Sequence, residues 1–148
     1  MNTIYWIRHG QSVANTYKYL HSFILDPILT DLGKEQMLNV SKKLLEHHIE
    51  VIICSPLTRS IDSGLILKKY IESHKNYSPK VVIIYSLLEK GFGLDNMKYD
   101  YLRNLPKYIY NRIYPKLDHF KQFSRELLNY TNKYKSIAII GHERVNAD

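Results

Sequence analysis

Cysteine is almost missing from this chain: of 148 residues only Cys54 carries a thiol. That excludes an intramolecular disulfide and fits a reducing compartment. Glycine (6) and proline (5) are sparse as well, and no repeat, low-complexity tract or interdomain linker is present. Long apolar runs are lacking, the longest falling far short of the ~20 residues that span a bilayer. No basic region with an apolar segment and cleavage site precedes the first strand. A cytoplasmic protein without a membrane partner is therefore expected. No histidine, cysteine or carboxylate grouping has metal-ligand spacing, so neither a metal nor another cofactor is expected. Acidic residues are the scarcer charge, 14 against 21 lysines and arginines, for a net +7. Such a field draws in anions. Phosphate esters, nucleic acid and acidic membrane all fit it, and so does a compositional bias toward lysine with no functional meaning.

What is present is ordinary for a globular protein, 45% hydrophobic and 24% charged. The length predicts one domain over residues 1–148, enough to bury about 70% of the unfolded surface. Strand and helix patterns alternate. A β-favouring run at 3–8 is followed by a helix predicted over 11–19 and a loop holding Asp26, Pro27, Leu29 and Thr30. Thr30 and Asp31 suit a helix start, and Met37, Val40, Leu44 and Leu45 give the next helix an apolar face. Residues 50–54 read as a strand, and 57–73 as a helix with Ile61, Leu65, Ile66 and Tyr70 inward. A strand at 80–85, a loop at 87–95, an irregular stretch at 96–115, a helix at 117–134 and a buried strand at 136–140 complete the pattern. Alternation of this kind predicts an α/β sandwich around a mostly parallel sheet.

Open α/β sheets bind ligands beyond the carboxyl ends of their strands. Those ends carry Arg8-His9-Gly10, then Ser55 to Arg59, then Glu89, then Gly141-His142. An ionised arginine at the end of a buried strand is costly unless something anionic meets it. Arginine grips phosphate oxygens through paired donors. A histidine that attacks phosphorus must be unprotonated, and Arg8 and Arg59 oppose the protonation of His9. Gly10 leaves the backbone open to close approach. His142 completes the cradle, and Glu89 is the carboxyl available to protonate a leaving alkoxide.

Arg8-His9-Gly10-Gln11-Ser12, Asp26-Pro27-Ile28-Leu29-Thr30-Asp31-Leu32-Gly33, Ser55-Pro56-Leu57-Thr58-Arg59, Leu87-Leu88-Glu89 with Gly93, and Gly141-His142 stand in order along the chain. With these motifs the sequence resembles the histidine phosphatase, or phosphoglycerate mutase-like, superfamily. The resemblance implies a three-layer α/β/α sandwich, reduced at its C-terminus. It implies a phosphohistidine on His9, with Glu89 and His142 as its catalytic partners. Arg8, Arg59 and Asn15 match phosphate or substrate contacts, and Gly10 and Ser12 belong to the same phosphate motif. The implied activity is hydrolysis of a small phosphorylated substrate. Two alternatives stay open, a phosphoglycerate mutase-type phosphotransferase and an inactive phosphate-binding relative. Hydrolysis is preferred to mutase chemistry because the stretch between Lys90 and Gly141 is short for the insertion that mutases carry. Three departures bear on the choice. Glu143 stands where the family usually has glycine, only Glu143 to Asp148 follow His142, and Pro115-Lys116-Leu117-Asp118 replaces a Gly-Glu-Ser before the last long helix.

Other candidates read more plainly. Cys54 and Arg59 are separated by four residues, one fewer than in the cysteine-dependent phosphatases, and no intervening glycine wraps a phosphate. Cys54 therefore reads as a buried small apolar residue. His47 and His48 are adjacent on a predicted helix and do not face one ligand together, while His21, His74 and His119 read as surface residues. Between Lys98 and Lys116 tyrosines alternate with Arg103, Lys107 and Arg112. That pattern fits a solvated face or a basic lid, and no nucleic acid partner is expected.

Overall fold

The apolar run Ile137-Ala138-Ile139-Ile140 is excluded from solvent, and the sheet is arranged around it. The computed structural model describes residues 2–13, 27–87 and 119–141. Within them lie strands β1 (Thr3–Arg8), β2 (Val51–Cys54), β3 (Lys80–Ile83) and β4 (Ser136–Gly141), and helices α1 (Asp31–Leu44), α2 (Thr58–His74) and α3 (His119–Thr131). The strand order is β1-β4-β2-β3, and every neighbouring pair is parallel. A parallel sheet must be covered on both faces. The pleat sorts the side chains accordingly. Ile52, Cys54, Ala138 and Ile140 meet Met37 and Leu44 of α1 and Leu67 and Ile71 of α2. Val51, Ile53, Ile137 and Ile139 meet Phe123 of α3 and Leu87. The architecture is the expected α/β sandwich.

The winding fixes where a site can form. The chain steps from β1 to β2 to β3, then returns to insert β4 between β1 and β2. Right-handed crossovers then place α1 and α2 on one face and α3 on the other. The reversal leaves the carboxyl ends of β1 and β4 side by side, the position at which such sheets bind ligands.

Local chemistry explains the helices. Thr30 caps α1, its Oγ1 accepting from the Gly33 N–H at 3.0 Å. Asp31 in the first turn and Lys42 and Lys43 in the last complement the dipole. The buried face of α2 differs from the apolar one expected. Ser60, Ser63, Gly64, Leu67 and Ile71 are buried, whereas Leu65 is exposed and Ile61, Ile66 and Tyr70 are only partly covered. The reason is close approach: a Cβ at Gly64 would lie 2.4 Å from the Cys54 Sγ. Small residues, rather than large apolar ones, let α2 sit down on the sheet.

Three boundaries also shift. Gln11 and Ser12 do not start a helix, because Ser12 pairs antiparallel with Leu29 and the Val13 N–H donates to the Ile28 carbonyl at 2.9 Å. The remainder of that predicted helix, 14–19, lies outside the described residues. β3 ends at Ile83 and passes into a 3-10 turn over Tyr85–Leu87. His47 closes another such turn, and His48 follows it in the left-handed region at φ 47°. Their rings pack against Tyr5 and Tyr77 respectively. The irregular stretch at 96–115 and the basic tyrosine-rich segment fall outside the described residues. No described helix is long and apolar enough to cross a membrane.

Candidate active site

β1 delivers His9 directly off its carboxyl end. Arg8 is in register with Gly141 on β4, and the His9 N–H donates to the Gly141 carbonyl at 3.2 Å. The imidazole is buried, 5% exposed. Its Nδ1 lies 2.7 Å from the Gly10 carbonyl oxygen. A carbonyl can only accept, so Nδ1 carries the proton and Nε2 keeps a lone pair. The His9 pKa is pushed down to about 3. Burial is the main cause; the charges of Arg59 and Arg8 act in the same direction, against an opposing contribution from the Gly10 bond. A neutral imidazole with its proton on Nδ1 is the state a phosphorus nucleophile requires.

The arginines arrive by different routes. Arg59 sits in the first turn of α2, at the carboxyl end of β2, and is completely buried. Arg8 is exposed and lines a pocket of about 380 Å³ together with His9, Gly10, Gln11, Gln36, Met37 and Val40. Ser12 is fully buried. The fold thus brings His9 together with Arg8 and Gly10 in one pocket and sets Arg59 close enough for its charge to act on the imidazole, while Ser12 pairs with Leu29. Asn15, Glu89 and His142 lie outside the described residues, although Gly141, the residue before His142, is part of β4 beside Arg8.

Side chains absent from the sequence expectation hold this group in place. The Gly10 N–H donates to Ser63 Oγ at 3.1 Å, and that hydroxyl donates to the Arg59 carbonyl at 2.7 Å. Ser60 Oγ accepts from the Ser55 N–H at 3.0 Å and donates to the Ile140 carbonyl at 2.7 Å, tying α2 to the ends of β2 and β4. On the other side, the Gln11 N–H donates to Gln36 Oε1 at 2.9 Å, and Thr30 Oγ1 donates to Gln11 Oε1 at 2.9 Å. Gly10 is required by packing as much as by any ligand. A Cβ there would lie 2.3 Å from the Gly33 carbonyl oxygen, and one at Gly33 would lie 2.1 Å from that of Gln11. The signal for the serines was the set of small residues at helical spacing, Ser60, Ser63 and Gly64, on a face that hydropathy alone assigns to solvent.

Cys54 is buried, and its thiol is pushed up to about 12, chiefly by desolvation. Burial and the raised pKa fit the packing residue expected of it rather than a nucleophile.

A model of the histidine phosphatase superfamily (branch 1) matches residues 4–110. The chain belongs to the histidine phosphatase superfamily. The matched span includes His9, Arg59 and Glu89 and ends before Gly141-His142. Solved structures of phosphoglycerate mutase-like proteins share the fold. Bacillus stearothermophilus YhfR superposes with TM-score 0.81 at 16% identity, over 99% of this chain and 76% of its own. Phosphoglycerate mutase from Bacillus anthracis gives 0.80 at 18%, over 97% and 76%. Phosphoserine phosphatase from Entamoeba histolytica, in complex with 3-phosphoglyceric acid, gives 0.71 at 22%, over 99% and 76%. No curated protein matches the sequence. Proteins named as phosphatase and as mutase thus share this scaffold, and at these identities the likeness speaks for the fold.

Proposed function

We propose that this histidine phosphatase superfamily member hydrolyses a small phosphomonoester through a phosphohistidine on His9. The observation that carries the reading is the state of His9: buried, proton held on Nδ1 by the Gly10 carbonyl, and ionisation opposed by Arg59 and Arg8. In the first step the Nε2 lone pair bonds to phosphorus as the bond to the substrate's alcohol oxygen breaks. The proton for that oxygen comes from the Glu89 carboxyl. In the second step water attacks the phosphohistidine, gives its proton to the Glu89 carboxylate, and releases inorganic phosphate and free imidazole. Arg8, Arg59, Asn15 and His142, with the Gly10 and Ser12 loop, bind the phosphoryl oxygens. A unit charge pair at ~4 Å is worth about 4 kcal/mol at an effective dielectric of 20, so cations around a dianion outweigh apolar contacts in binding it.

The test is turnover of an aryl phosphate together with acid-labile, alkali-stable phosphate on the protein. Both are expected in the wild-type chain and both are expected to vanish in His9→Ala. Turnover persisting in that variant would remove the mechanism. Phosphoglycerate isomerisation outrunning phosphate release would make the protein a mutase. Tight binding of orthophosphate with no turnover of any phosphorylated metabolite would make it an inactive relative.

A further inference from the structure

The proposed nucleophile depends on a particular tautomer, and the hydrogen bonds around it extend into α2. His9 Nδ1–H donates to the Gly10 carbonyl at 2.7 Å. The N–H of the same Gly10 donates to Ser63 Oγ at 3.1 Å, and Ser63 spends its own proton on the Arg59 carbonyl at 2.7 Å. Gly10 and Ser63 are both buried. With its proton committed to the helix, the Ser63 hydroxyl offers the loop only lone pairs. A loop N–H can therefore sit there and a loop carbonyl cannot. That fixes the orientation of the peptide on one side of the Gly10 α-carbon, while the contact with Gly33 leaves the residue no room to drift on the other.

We infer that Ser63 is a positioning residue for the phosphoryl transfer: its hydroxyl locks Gly10 so that the Gly10 carbonyl holds His9 as the Nδ1–H tautomer, with Nε2 available to attack. The inference rests on the His9 reading and deepens it. Serine four residues after arginine on one helix also ties the imidazole to the segment that carries Arg59. The nucleophile and the buried cation are thereby held at a fixed separation rather than carried on independent elements. Loss of the hydroxyl leaves the fold's apolar contacts and the Gln11 N–H bond to Gln36 in place but frees the His9–Gly10 peptide to turn, which shifts the Gly10 carbonyl relative to the imidazole, so that either ring nitrogen can carry the proton.

The experiment compares the full-length wild type with Ser63→Ala, Ser63→Thr and Ser63→Cys, using an aryl phosphate for turnover. Long-range ¹H–¹⁵N correlation spectra of the histidine rings in the free protein report the tautomer, with His9 assigned by its absence from His9→Gln. Ser63→Ala is expected to lower kcat about 10- to 100-fold with KM within about threefold of wild type, the scale of a misplaced reacting group. Its His9 signal is expected to become a mixture of tautomers. Ser63→Thr, which restores a hydroxyl, is expected to recover the Nδ1–H tautomer and most of the lost kcat. Should Ser63→Ala fail to fold, Ser63→Cys carries the test, since it keeps the side chain's shape with a poor acceptor and is expected to show the same mixture. A wild-type His9 spectrum in a folded Ser63→Ala or Ser63→Cys overturns the inference, whether or not activity is lost. A kcat within about twofold of wild type in those variants does so as well. Because the tautomer is read without substrate, its outcome is separate from that of His9→Ala, which tests the reading beneath it.

Discussion

His9 is kept neutral by its surroundings, and the same surroundings must weaken the fold in acid. The unfolded chain takes up a proton on this imidazole near its ordinary 6.5, the folded chain only near 3. Between those values the unfolded state binds more protons, so stability falls as pH drops through the window and is unaffected by this group above it. From pH 7 to pH 4 the penalty is about 3 kcal/mol. Urea titrations at the two pH values are expected to show that loss in wild type and a loss smaller by about that amount in His9→Gln, whose side chain does not titrate. Equal slopes would mean that His9 is not buried neutral. An acid limb well above pH 3 in the rate profile of the proposed hydrolysis is therefore expected to report a group other than His9. Cys54 bears on the rival chemistry at the same scale. Its raised pKa leaves essentially no thiolate at neutral pH. Cys54→Ala is expected to keep aryl phosphatase activity within about twofold while costing about 1 kcal/mol in packing. Loss of activity beyond the change in stability would reopen a cysteine mechanism.

Between elements, the decisive contact is the one that seats the His9–Gln11 loop on the first turn of α1. Alanine in place of glycine inside a helix ordinarily stabilises it by about 1 kcal/mol. At Gly33 the sign is expected to reverse, because the new methyl would lie 2.1 Å from the Gln11 carbonyl oxygen. Backbone cannot yield as a flexible side chain does, so Gly33→Ala should cost at least about 2 kcal/mol, measured by denaturant unfolding. It should also cut turnover, since the helix and the loop that carries His9 cannot both keep their places. A stabilised, fully active Gly33→Ala would show that the loop is not clamped there. The strands, and the first helix from its Thr30 cap, were legible in the sequence because their signals are local: β-branched runs, a capping residue and one apolar stripe. The seating of α2 was not, because it depends on what lies beneath. Ser60, Ser63 and Gly64 are buried against Cys54 and the strand ends, and hydropathy gives small polar residues no preference for that face. The extended Gln11–Ser12 segment was missed for a related reason, since its partner is Leu29, a contact that no helix propensity anticipates.

Across the described residues, the last strand in sequence lies inside the sheet. β4 pairs with β1 on one edge and β2 on the other, contributing Ala138 and Ile140 to one core and Ile137 and Ile139 to the second. Alternation in the sequence was enough to give the α/β class and to bring the strand ends together, because winding rules restrict the alternatives. Strand order was not legible, since nothing local distinguishes an apolar run destined for the centre from one destined for an edge; β3, with Ile83 exposed, shows how similar an outer strand reads. Without β4 the backbone groups of β1 and β2 that face it lose their hydrogen-bond partners, and both helical layers lose the floor they pack on. A chain ending at Tyr134 is therefore expected to stay unfolded, with no cooperative thermal transition by circular dichroism. Adding a synthetic peptide of residues 135–148 is expected to restore the transition in a concentration-dependent way, as a strand supplied from outside must pay the association cost that the intact chain avoids. A cooperative transition in the truncated chain alone would mean that β1 and β2 can close on each other, and His9 would then have lost the Gly141 carbonyl that holds its backbone at the sheet's edge.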